Sequence, residues 1–190
     1  MKTTMKLLCA GLLAGCSVLP APHPDQVHRY LLDAKPAAAD PATSAHALSV
    51  DMPASRPGFD TPQMAYQRRA HELEYFATQR WADTPAHMLR PLIAAALEPR
   101  FAAQRTSDLR LETELIRLQQ DFTSTPSRIR ITLHARLVDV KNRRVIATRT
   151  FDETEISASE DAYGGVNAAN LALARMLDSL GAFCVEQANR

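Results

Sequence analysis

The chain has 190 residues, 22 Lys or Arg against 21 Asp or Glu, and 46% hydrophobic residues. That is enough apolar chain for a single domain with a proper core. No basic tract stands out, which argues against nucleic-acid binding and against a polybasic grip on anionic lipid.

Lys2 and Lys6 open the chain, Leu7 to Leu13 form a brief apolar run, and Leu13-Ala14-Gly15-Cys16 closes it. This charged, apolar, small-residue order is that of a secretory signal. The run is far shorter than the roughly 20 residues a spanning helix needs. A Cys directly after the small pair is what a lipobox requires, because its thiol takes a diacylglyceryl group before cleavage. The expectation is therefore a lipoprotein signal peptide over residues 1–15 and lipidation at Cys16. With a further acyl group on the amine, Cys16 carries three chains. Each buried CH₂ contributes about 0.8 kcal/mol, so the membrane anchor is effectively permanent. Ser17, rather than Asp, at the next position favours the periplasmic face of the outer membrane.

Cleavage leaves 190 − 15 = 175 residues, and loss of Lys2 and Lys6 leaves 22 − 2 = 20 basic residues against 21 acidic. Cys9 departs with the signal and Cys16 is consumed by lipid. Cys184 then has no disulfide partner and reads as a small buried residue on a helix. A Pro-rich leader over residues 16–26 (Pro20, Pro22, Pro24) should be extended, and the domain should occupy 27–190.

Within the domain, Val27 to Asp33 and His46 to Met52 read as strands, separated by an Ala- and Pro-rich loop over Ala34 to Ala45. Pro53 to Pro62 reads as a break. Met64 to Arg68 and then Leu73, Tyr75 and Ala77 alternate as strands around a turn at Arg69–His71. Asp83-Thr84-Pro85 predicts a helix start, with Thr84 as cap and Pro85 in the first turn. Met88, Leu89, Leu92, Ile93, Ala96 and Leu97 give that helix its apolar face, Pro91 threatens a kink, and Glu98-Pro99 ends it.

Asp108 to Phe122 predicts a long strand whose apolar phase changes, implying a bulge near Leu115–Arg117. Arg128 to Val138 alternates Ile129, Ile131, Leu133, Ala135 and Leu137 with polar residues, so one face is core and the other wet. A turn at Lys141-Asn142-Arg143, with Asn142 able to take positive φ, leads to a partner strand from Val145 to Phe151. The last helix is expected to start near Ser157–Asp161, with Ser157 and Glu160 at capping-box spacing, or as late as Val166 because of Gly164-Gly165. Val166, Asn170, Leu173, Leu177, Leu180 and Cys184, widened by Leu171, Met176 and Phe183, form a stripe that predicts core packing. An exposed homo-oligomer seam is the rival reading. These elements predict an α/β single domain, a mixed β-sheet packed with two main helices.

Motifs for chemistry are missing. His23, His28, His46, His71, His87 and His134 show no metal-ligand spacing, and no nucleophile elbow or phosphate loop occurs. Asp152, Glu153, Glu155, Glu160 and Asp161 form the densest acidic group, read as a strand end and helix cap. His134 reads as a surface residue, Asp83 as preceding a cap, and Trp81 as an aromatic anchor in the core. No catalytic, cofactor or metal residue is proposed. The lipid on Cys16 is the one chemical group.

Pro57-Gly58-Phe59-Asp60-Thr61-Pro62-Gln63-Met64-Ala65-Tyr66, Leu73-Glu74-Tyr75-Phe76 and Arg80-Trp81-Ala82-Asp83-Thr84-Pro85 resemble the ABC-type transport auxiliary lipoprotein family of PqiC-like proteins. Arg110-Leu111-Glu112-Thr113-Glu114-Leu115 and Asn167-Ala168-Ala169-Asn170-Leu171-Ala172 fit as well. Phe183 stands where many relatives use Trp. The resemblance implies a fold similar to the anticodon-binding-like and TolB amino-terminal folds. It implies a non-catalytic partner of an ABC transporter and its MCE-domain protein, moving phospholipid or other lipids between inner and outer membranes. An envelope adaptor that activates or scaffolds a cell-wall enzyme is the alternative, and a hydrolase with an assembled site is a weaker one.

Overall fold

The computed structural model describes residues 26–35, 43–103 and 106–190. The signal peptide, Cys16 and the Pro-rich leader up to residue 25 lie outside the described residues, as does the middle of the Ala34–Ala45 loop. Eight strands form one mixed sheet: β1 (His28–Tyr30), β2 (Leu48–Val50), β3 (Ala54–Ser55), β4 (Gln63–Gln67), β5 (Glu74–Trp81), β6 (Leu109–Asp121), β7 (Arg128–Asp139) and β8 (Arg144–Ile156). Two helices, α1 (Pro85–Leu97) and α2 (Ala162–Ala188), complete a single α/β domain.

The sheet runs β1-β5-β4-β6-β7-β8, with β2 and β3 also paired to β6. Along one edge β6 takes β2, β3 and β4 in succession, all parallel. Along the other it pairs antiparallel with β7 over its whole length, with a register shift between Leu115 and Arg117. The bulge expected there moves the apolar phase from Leu111 and Leu115 to Leu118 without turning the strand out of the core.

Leu111, Leu115, Ile131 and Leu133 point to one face of the sheet and are fully buried against Leu89, Ile93 and Leu97 of α1 and Leu173, Met176, Leu177 and Leu180 of α2. Burying each such side chain stabilises by about 1.5–3 kcal/mol. The α2 stripe is therefore core and not a seam. Leu171 is the exception, 58% exposed on the outer side of the helix. Its neighbour Asn170 instead ties α2 to the first segment, accepting from the Asp33 N–H at 2.7 Å. Long and apolar enough to cross a membrane by composition, α2 spends those side chains on the sheet.

Both helix starts differ from expectation in chemistry. Thr84 occupies the cap position of α1, but its side chain makes no capping bond. The Asp83 carboxylate accepts from the Thr84 N–H at 2.6 Å and faces the His87 ring at 3.2 Å. Pro91 sits on the exposed side within an unbroken α1, where water can satisfy the carbonyl its missing N–H leaves free.

In α2 the cap is Asp161, accepting from the Gly164 N–H at 2.8 Å. The Ser157–Glu160 capping box does not form. Ser157 is buried, with its N–H donated to Ser127, and Glu160 accepts from the Ser127 N–H at 2.8 Å. Both residues are recruited by the β6–β7 connection. Gly164 and Gly165 lie inside the helix because a Cβ would have no room. At Gly164 it would stand 2.3 Å from the Ser159 carbonyl oxygen, and at Gly165 it would stand 2.4 Å from Gln120 Oε1.

Three further departures concern extents and turns. The Pro53–Pro62 break holds the two-residue β3 and a 3₁₀ turn at Pro57–Phe59. β8 continues past Phe151 to Ile156, because the first residues of β7 pair with it there. In the β7–β8 turn Asp139 accepts from both the backbone and side-chain N–H groups of Asn142, at 2.9 and 2.7 Å. Asn142 is thereby held at negative φ and the left-handed residue is Arg143, at φ 52°.

Candidate functional site

Cys16, the site residue expected from sequence, lies outside the described residues. The acidic group does not converge. Asp152 accepts from the Thr132 hydroxyl at 2.7 Å, while Glu153 and Glu155 hold Arg175 of α2 at 3.2 and 2.7 Å. Glu160 and Asp161 serve backbone N–H groups as described. Among the described residues no group of three or more His, Cys, Asp or Glu could hold a metal ion. His134 lies on the open face of β7, its Nδ1 3.0 Å from the Thr150 hydroxyl. Trp81 is 3% exposed, as an anchor should be.

Cys184 is fully buried, and burial pushes its thiol up to about 12 although Arg100 works in the opposite direction. A thiol in that state is a packing group, since the thiolate is the reactive form.

Pairing of β6 with β7 brings together a constellation that linear spacing does not display. On the face away from the helices, Arg110 stands opposite Val138 and Glu112 opposite Arg136. Glu112 bridges two cations, reaching Arg110 at 2.8 Å and Arg136 at 3.6 Å, and Arg110 also meets Asp51 at 3.4 Å. Two hollows flank this network. One of about 480 Å³ is lined by Arg110, Arg136, Arg143 and the valines at 138, 140 and 145. The other, about 440 Å³, is lined by Ala54, Glu114 and His134, and Glu112 and Arg136 belong to both. The visible sequence signal was the polar half of the β7 alternation; the partners of those residues required the strand register. The network sets paired charges beside apolar contact.

The model of the ABC-type transport auxiliary lipoprotein component matches residues 30–181, from β1 through most of α2. The chain belongs to that family. Membership makes this protein an auxiliary component of an ABC-type transport system and a membrane-anchored lipoprotein of the cell envelope. No curated protein matches the chain. A crystal structure of a Xanthomonas campestris protein is similar at 24% identity and a TM-score of 0.76, covering 86% of this chain and 97% of that one. A second, uncharacterised protein is similar at 14% identity and a TM-score of 0.67, covering 84% and 99%. A hypothetical protein of Chlamydia trachomatis follows at 10% identity and a TM-score of 0.54, covering 76% and 98%. These likenesses show the fold of the chain to be a recurrent one.

Proposed function

We propose that the protein is a non-catalytic accessory lipoprotein of an MCE-type ABC transport system that moves phospholipid or other lipids between the inner and outer membranes. The observation that carries this reading is the family match over residues 30–181 directly behind the lipobox Leu13-Ala14-Gly15-Cys16. Cleavage before Cys16 and lipidation there hold the domain at a membrane, and Ser17 supports the outer membrane. The domain's part is to dock the MCE-domain protein, and tethering raises its effective concentration where that partner arrives. The Arg110–Glu112–Arg136 network suits recognition of a partner and lacks the parts of a reaction centre.

In-cell crosslinking of the full-length lipoprotein, followed by identification of what is captured, tests the reading. Capture of an MCE-domain protein is expected. Capture of a cell-wall synthase in its place would transfer the protein to the class of envelope adaptors.

A further inference from the structure

The strand register divides the sheet into two ends. At one end lie the start of β5 at Glu74, the finish of β6 at Asp121, the start of β7 at Arg128 and the finish of β8 at Ile156. The first turn of α2 is at the same end, since Gly165 abuts Gln120 of β6. The opposite end carries the β7–β8 turn with Lys141, Arg143 and Arg144.

Chain direction decides which end meets the anchor. β1 runs parallel to β5, so the chain approaches β1 from the side where β5 begins, although β1 itself lies beside the last three residues of β5, His28 opposite Gln79 and Tyr30 opposite Trp81. Nine residues, 17–25, separate Cys16 from the first described residue, Gln26. Nine residues span at most roughly 30 Å. The 13-residue β6 is itself about 40 Å long. The lipid is thus held within that reach of β1, and the chain comes to β1 from the Glu74 side.

The same end is apolar where it should be wet. Val27 is 53% exposed, Ile156 57% and Tyr163 60%, and Leu73 in the β4–β5 turn is 39% exposed. The Tyr163 ring lies 6.4 Å from that of Tyr30, so the α2 start and β1 share one surface. Arg69 stands in the β4–β5 turn with its side chain 82% exposed, 3.6 Å from the carboxylate of Glu72. The two acids just before Tyr163 in the chain are engaged by backbone donors, Glu160 by Ser127 and Asp161 by Gly164. At the far end the exposed apolar residues, Val140 and Val145, line the hollow beside Arg110 and are flanked by Lys141, Arg143 and Arg144.

We infer that this end of the sheet is a membrane seat: Val27, Leu73, Ile156 and Tyr163 enter the interfacial layer of the phospholipid bilayer that holds the anchor. Amphipathic tips of this kind, an apolar body with a tyrosine hydroxyl or a cation at headgroup height, suit that layer. The seat fixes the orientation of the domain, pointing the β7–β8 turn away from the membrane. This rests on the lipid-anchor reading of Cys16.

Spin labels on the full-length lipidated protein test it, in vesicles of phosphatidylethanolamine and phosphatidylglycerol. Nitroxides are attached through Tyr163→Cys, Val27→Cys and, at the far end, Lys141→Cys; Cys184 is buried and takes no label. The ratio of collisions with oxygen to collisions with a water-soluble nickel chelate should be several-fold higher at 163 and 27 than at 141. Equal ratios at all three positions in a chain whose mass shows lipid on Cys16 would overturn the seat alone. A chain without that lipid mass would overturn the anchor and the seat together.

Discussion

The two faces of the sheet are built from the same strands, yet they hold different kinds of energy. On the helix side, Leu111, Leu133, Leu173 and Leu177 are sealed from water. On the open side, Arg110, Glu112 and Arg136 pair while each keeps 29–49% of its side chain exposed. Burial on the first face stabilises by kilocalories per residue, whereas exposed ion pairs are worth 0–1 kcal/mol in most measurements. The difference teaches where variation is tolerated. One face maintains the fold, and the other can be altered to probe recognition without unfolding the protein.

The sharpest break of this contrast is on the covered face. Leu177→Ala leaves a cavity between α2 and the sheet, and urea denaturation should show a loss of about 2–5 kcal/mol. Next comes Gly164→Ala, whose new Cβ meets the Ser159 backbone and has no flexible side chain to displace. Equilibrium unfolding should report a cost of about 1–3 kcal/mol, despite alanine's better helix propensity.

Asp121 lies between the two regimes, at the end of β6. Burial raises its pKa, but hydrogen bonds from the Thr123 hydroxyl and N–H and from Arg130 outweigh it and hold the carboxyl below the usual carboxylate range. A depressed folded-state pKa contributes stability that is present above the unfolded value and lost as pH falls through the folded one. Asp121→Asn should cost about 1–2 kcal/mol at neutral pH. It should also lose stability less steeply than the parent between roughly pH 5 and 2. The smallest effect is expected on the open face, where Arg136→Ala should stay within about 0.5 kcal/mol of the parent. A loss as large as that of Leu177→Ala would end the contrast.

The covered face was legible because its rule is local. The β7 alternation, the change of phase in β6 and the α2 stripe each state a period in consecutive residues, and burial follows the period. Features that depend on distant residues were not legible. Ser157 and Glu160 have capping-box spacing, but Ser127, thirty residues and more away, takes both, and Asp161 becomes the cap. β3 has two residues and exists because β6 supplies its hydrogen bonds. Gly164 and Gly165 read as weak helix residues until the close approach of Ser159 and Gln120 gives them a reason. The open-face network was hidden in the same way, since Glu112 and Arg136 meet only through register. The proposed lipobox is a contiguous run, Leu13-Ala14-Gly15-Cys16, and reading it draws on no tertiary information.

We propose that the domain works because it is held at a membrane. The most direct test is lipid transport in cells carrying Cys16→Ser with a signal that still exports the protein, its folded state and abundance checked in the periplasm. Transport is expected to fall to the level of cells lacking the protein. Full transport with the protein free in the periplasm would contradict it.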